Sequence, residues 1–137
     1  MRKLVLGFLL LAAVAAPLAL AGAADAAAPR TVKLRLLAIV CHTSEDFFGD
    51  EAYLEANGAR IWGPVDMNNG DERSLLAVPL QPFRRGIDLA LFDDDAPDAD
   101  DHLGTVRIGR NAFRTGVQTA TFTLDGTNYT VTYKVVK

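Results

Sequence analysis

The sequence predicts an all-β domain, a single antiparallel β-sandwich of about seven or eight strands behind a cleavable leader. Three observations predict it. From Thr31 onward, apolar and polar residues alternate with period two. Clusters of Gly, Asn and Asp interrupt that alternation at short intervals. No window of ten residues carries a helical stripe. Half of the 137 residues are hydrophobic, too many for a disordered chain.

The leader comes first. Arg2 and Lys3 form a short positive region, and Leu4 to Val14 is apolar. Pro17 breaks that run, and small residues follow. This is the layout of a secretory signal peptide. The run is short of the roughly 20 residues that a membrane span needs unless the alanines count. Residues 1–27 are therefore expected to be the signal, with competing Ala-x-Ala sites that place cleavage between 21 and 29. No cysteine follows for a lipid anchor, and there is no twin arginine. The general secretory route and a secreted or periplasmic destination are expected. Residues 30–137 are left as the sandwich domain. Loss of Arg2 and Lys3 lowers the formal charge of −3 by two, to −5 when Asp25 is kept. A net-acidic chain without a Lys/Arg block excludes nucleic acid as the main partner.

The strands follow in order. Thr31 to Val40 alternates and is β-branched. Ala52 to Ala56 and Ala59 to Trp62 flank Asn57-Gly58, a strong hairpin signal. Pro64 to Asp71 reads as a loop. Leu75 to Leu80 reads as a strand stopped by Pro82. Ile87 to Phe92 and Leu103 to Ile108 alternate, and a turn lies near Arg114 to Gly116. Gln118 to Leu124 and Asn128 to Val136 form a last hairpin across Asp125-Gly126-Thr127.

Ten of the 17 acidic residues lie in two loops. Glu45, Asp46, Asp50 and Glu51 follow the first strand. Asp93, Asp94, Asp95, Asp98, Asp100 and Asp101 follow the strand that starts at Ile87. Carboxylates so crowded repel one another, and a hard divalent cation relieves that repulsion. Asp93 and Asp95, two apart on extended backbone, face one side of the loop. Asp98 and Asp101 can return to the same cavity after a turn at Pro97, and Gly104 lets the chain turn tightly into the next strand. An EF-hand does not fit. A loop begun at Asp93 puts Asp98 where glycine is required and Gly104 where the bidentate glutamate belongs.

The segment Leu91 to Gly104 resembles the third calcium loop of the C-two domain, the calcium-dependent module of protein kinase C and synaptotagmin. That family's pattern is an apolar strand, Asp-x-Asp, a polar residue three later, an Asp three later again, then a Gly. Asp93, Asp95, Asp98, Asp101 and Gly104 match each step. The first loop is similar, with Glu45, five residues, then Glu51-Ala52-Tyr53; Asp46 and Asp50 compete for the first position. The resemblance covers roughly Thr31 to Val136 and implies a sandwich whose two acidic loops emerge at one end. It implies calcium as the cofactor. The expected ligands are Glu45 or Asp46 with Glu51, then Asp93, Asp95 and Asp101, with Asp98 peripheral. The lysine-rich strand that many members use for phosphoinositides is missing: the basic residues from Arg60 to Arg85 are Arg60, Arg73, Arg84 and Arg85.

Other residues could carry chemistry. Phe47 and Phe48 fall at the tip of the first loop. They are candidates for contact with a membrane or partner; the alternative is that one packs beneath the loop and the other shields the site. The single cysteine, Cys41, excludes an internal disulfide and reads as a buried thiol, with intermolecular pairing as the alternative. His42 and His102 flank the acidic loops, but adjacent strand residues face opposite ways, so Cys41 and His42 cannot readily share an ion. Tyr53 and Trp62 fit the core or a sheet edge. Asn128-Tyr129-Thr130 is a glycosylation sequon with meaning only in a eukaryotic secretory path. No hydrolase elbow, zinc-protease motif or phosphate loop occurs, so no enzyme is expected. The expected function is a secreted calcium-binding module, with a membrane or an extracellular protein as partner. Two alternatives stay open: a structural or protein-interaction domain that calcium only stabilises, and a metal-independent acidic domain.

Overall fold

The computed structural model describes residues 27–137. The expected leader lies outside them, apart from its last position. Nine strands form two antiparallel sheets: β1 (Val32–Thr43), β2 (Asp50–Ala56), β3 (Ala59–Met67), β4 (Glu72–Ser74), β5 (Gln81–Phe83), β6 (Gly86–Asp93), β7 (Asp101–Gly109), β8 (Gln118–Phe122) and β9 (Asn128–Val136). One sheet runs β4-β1-β9-β8, and β5 shares with β4 the outer edge of β1. The other runs β3-β2-β6-β7. The predicted β-sandwich is therefore the fold, with two three-residue strands more than the periodicity shows.

Period two is clearest in β6 and β9, where alternate residues are buried. Leu34, Leu36, Ile39 and Cys41 of β1 meet Leu54, Leu89, Leu91 and Leu103 of the facing sheet in one core. Val131 and Phe122 join it from β9 and β8. Burying each of these large side chains contributes roughly 1.5–3 kcal/mol. Cys41 is a free, fully buried thiol, as expected, while His42 beside it is exposed.

Three local readings are corrected. Pro64 does not end a strand, because β3 runs on to Met67. β3 is an edge strand with an irregular register opposite Ala52–Leu54, and there a residue without an N–H is tolerated. Leu75–Leu80 is not a strand. It is a turn in which Leu75 plugs the core and Leu76 is exposed, and Pro82 lies inside β5 rather than stopping a strand. Gly104 lies within β7, not at the loop's return, because β7 already begins at Asp101. Its φ is +142°, and a Cβ there would stand 3.3 Å from Phe122 of the opposite sheet. Close sheet-to-sheet packing, not loop closure, explains this glycine.

Candidate metal centre

β1 and β6 end where β2, β7 and β9 begin, so four connections gather at one end of the sandwich. The β1–β2 loop stands beside the β3–β4 turn: the Ser44 N–H donates to Asn69 Oδ1 at 2.7 Å. Gly49 closes that loop at φ +92°, where a Cβ would meet Asn68 Oδ1 at 2.6 Å and the Met67 carbonyl at 2.9 Å.

Strand phase decides which acids point inward. Asp93 continues the buried phase of Ile87, Leu89 and Leu91, and it is 2% exposed. Asp50 continues the phase of Ala52, Leu54 and Ala56, and it is 1% exposed. Both carboxylates stand where the apolar core meets the loops. The Glu51 N–H donates to Asp93 at 2.5 Å. Asp50 accepts the Tyr129 hydroxyl at 2.6 Å and the N–H groups of Glu45 and Asp46 at 2.9 and 3.1 Å.

Two groups of carboxylates result. Asp46, Asp93 and Asp95 form one, and Glu45, Asp101 and Asp125 form the other. Within each group the candidate ligand oxygens lie within 4.8 Å of one another. Asp95 belongs to the first group, and burial, then Asp101 and Asp46, raise its carboxyl. Burial and the charges of Asp101, Asp125 and Asp93 push Glu45 up to about 7. Burial, with the charges of Asp50, Asp95 and Asp46, pushes Asp93 up to about 6 despite the Glu51 N–H. The Glu45 Oε2 atom is buried without a hydrogen-bond partner.

A cleft of about 490 Å³ opens over the first group. Asp66 and Asn68 of the β3–β4 segment line it with the two acidic loops, and no basic side chain does among the described residues. Arg60 is drawn elsewhere. It lies 3.7 Å over the Tyr53 ring and pairs loosely with Asp94 and Asp100 at 3.7 and 3.9 Å. The Tyr53 hydroxyl also donates to Asp100 at 2.6 Å. Asp94 and Asp100 are thereby tied outside the two groups.

The structure brings together Glu45, Asp46, Asp93, Asp95 and Asp101 of the expected ligands. Glu51 lines the cleft, but its exposed side chain has the outward phase of β2 and its carboxylate lies outside both groups. Asp98 is exposed, also lies outside them, and its N–H closes a turn onto the Asp95 carbonyl. Asp50, a competitor for the first ligand position, lies outside both groups and instead holds the loop, as its phase with Ala52 and Leu54 implies; Asp125 is a site residue that the sequence does not reveal. Asp125 comes from the β8–β9 turn, and no short-range spacing links it to Glu45. The two histidines bond separately, His42 to Thr130 and His102 to Thr105, and neither joins a carboxylate group. Phe47 and Phe48 stand at the loop tip, 95% and 91% exposed, with their rings edge to face. Neither packs beneath the loop, which overturns that half of the alternative, while Phe48 lines the cleft.

No protein-family model matches the chain. No curated protein matches it either. Solved structures do. A structure of the two C-two domains of extended synaptotagmin 2 is 16% identical with a TM-score of 0.54, over 99% of this chain and 47% of that one. A longer piece of extended synaptotagmin 2, with its SMP domain, is 17% identical with a TM-score of 0.51, over 79% of this chain and 27% of that one. The chain thus spans about half the length of the first and about a quarter of the second. At such identity the likeness is one of fold: the protein is a C-two-like β-sandwich with acidic loops at one end.

Proposed function

We propose that the protein is an exported, non-catalytic module that binds calcium between its acidic loops and docks on a membrane surface through Phe47 and Phe48. The observation that carries this reading is the pair of carboxylate groups at one end of the sandwich, with the unpartnered Glu45 Oε2 in one of them. An all-oxygen, irregular donor set, with no basic side chain lining its cleft among the described residues, suits calcium better than magnesium, which keeps its waters and demands near-octahedral geometry. Asp46, Asp93 and Asp95 would hold one ion, and Glu45, Asp101 and Asp125 a second. Bound calcium would supply charge neutralisation at this end and bring the loop tip close to anionic headgroups. Each phenylalanine buried in a lipid surface contributes roughly 1.5–3 kcal/mol. Export rests on the sequence of residues 1–27. It predicts a mature N-terminus between Gly22 and Arg30 in the secreted protein.

The test is a thermal melt of the mature chain against free calcium, followed by vesicle sedimentation. At ten times the Kd, each bound ion adds about 1.4 kcal/mol, a rise of roughly 4–8 °C in Tm. Asp95→Asn should remove most of that rise. Asp88→Asn should keep it, because Asp88 sits in an exposed pair with Arg107 at the far end of β6. Phe47→Ser with Phe48→Ser should keep the calcium response and lose sedimentation with phosphatidylserine vesicles. A melt that ignores millimolar calcium sinks the calcium reading. A calcium response without vesicle binding leaves calcium as a brace for a domain with some other partner.

A further inference from the structure

The opposite end of the sandwich carries a second cleft, of about 430 Å³ and of the opposite charge. Arg30 enters it just before β1, and Lys137 just after β9. Between them stand Arg110, Asn111, Phe113 and Arg114, from the short 3-10 helix that follows β7. Four of these six side chains are cationic and none is acidic. The ion pairs among the described residues belong to Arg60, Arg73 and Arg107, so no described carboxylate side chain neutralises the four.

Two of the cations are already held in place. Arg110 donates its Nε to the Arg30 carbonyl at 3.0 Å, and its backbone N–H bonds the Arg85 carbonyl at 3.0 Å. That anchor uses one of the five guanidinium N–H groups and leaves the terminal Nη groups for a ligand. The Lys137 ammonium lies 5.3 Å over the Phe113 ring, a cation–π arrangement that positions it without an anion. Arg114 and Arg30 are exposed beside them. Like charges gathered this way repel, as the carboxylates do at the other end, and a bound anion relieves it. Guanidinium forks match the oxygens of a phosphate group two at a time. Several cations around one concavity suit a group with more than one negative charge.

We propose that this cleft binds a phosphate ester, through the Arg110 and Arg114 guanidiniums with Arg30 and Lys137 completing the charge. The phosphate can come from a soluble ester or from a phospholipid headgroup. The site needs no calcium and shares no residue with the acidic end.

The test uses the mature chain with chelator present, so its outcome is separate from that of the calcium reading. Pyrophosphate is titrated into isotope-labelled protein, and amide shifts are mapped. Vesicles of phosphatidic acid in phosphatidylcholine are sedimented with it in parallel. The expected result is salt-sensitive shifts confined to Arg30, residues 110–114 and Lys137. Arg114→Gln, which removes no hydrogen bond among the described residues, should weaken binding about tenfold. Arg110→Lys keeps the charge but not the fork and should weaken it as well. Asp95→Asn should bind as the parent does. Shifts without sedimentation assign a soluble ester; sedimentation lost in Arg114→Gln assigns a headgroup. Three results overturn the proposal: no shift and no sedimentation with millimolar probe, binding that Arg114→Gln leaves intact, or the same shifts arising from protein concentration alone, which would mean that a second copy fills the cleft.

Discussion

Asp50 and Tyr129, 79 positions apart, share a hydrogen bond of 2.6 Å inside the sandwich. The bond fastens the start of β2 to the start of β9, and so fastens the β1–β2 loop to the sheet behind it. The other side of the same carboxylate takes the N–H groups of Glu45 and Asp46. Asp50 is thus a positioning residue for two candidate ligands without belonging to either carboxylate group.

Tyr129→Phe should cost about 1 kcal/mol in urea unfolding, because Asp50 keeps its backbone donors. Asp50→Ala should cost about 2–3 kcal/mol, since it strands the tyrosine hydroxyl and frees both N–H groups. A double-mutant cycle should show a coupling of about 1 kcal/mol. Asp50→Ala should also weaken calcium binding more than Tyr129→Phe does. Additive effects in the cycle would mean that the bond does not hold the loop.

Acidity gives a second prediction. Glu45 and Asp93 are pushed up to about 7 and about 6 from ordinary values of 4.5 and 3.8. A group whose folded pKa is raised contributes stability that is complete below its unfolded pKa and is lost as pH rises through the folded one. The calcium-free Tm should therefore fall between about pH 4 and about pH 7. Asp71, whose carboxyl the Asn68 N–H holds below its usual value, acts in the opposite sense and below that window. On the calcium reading the metal takes ionised carboxylates, so its stabilisation should grow across the same interval, with protons released on binding. Scans with chelator and with calcium from about pH 4 to about pH 8 check this, and Asp93→Asn should flatten the calcium-free slope.

A third prediction compares two glycines of nearly equal φ. Gly58 and Gly63 have φ of +80° and +83°. Alanine at Gly58 meets nothing within 4 Å and carries only the left-handed strain, about 1–2 kcal/mol. At Gly63 a Cβ would collide with the Ala52 carbonyl oxygen and stand 2.8 Å from the Tyr53 Cα. Gly63→Ala should cost about 1–3 kcal/mol more than Gly58→Ala. Equal losses in chemical denaturation would refute the close approach of β3 to β2.

Much of this architecture was legible in the chain. The alternation of Ile87, Leu89 and Leu91 gives β6 and its inward face, and Asn57-Gly58 gives the β2–β3 hairpin. The acidic end was legible because its residues cluster in sequence as well as in space. Legibility failed where tertiary setting outweighs local chemistry. Pro64 reads as a breaker, yet it is tolerated at the edge of a sheet. Leu75 to Leu80 reads as a strand, yet a turn sets Leu75 into the core. Asp125 joins Glu45 and Asp101 only because β9 begins beside the end of β1. The cationic cleft is assembled from residues more than 100 positions apart, with no run of basic residues to announce it.

Cys41 lies one pair from the acidic end of the β1–β9 ladder, opposite Tyr129, with no exposed surface. Burial pushes its thiol up, so little thiolate forms and none of it meets solvent while the ladder is closed. An alkylating reagent can therefore reach the sulfur only when the core opens at this end of the sandwich. Its labelling rate counts those openings one molecule at a time, without a mutation or an added probe. A ligand at the acidic end can then be judged by how far it slows a reaction just beneath it.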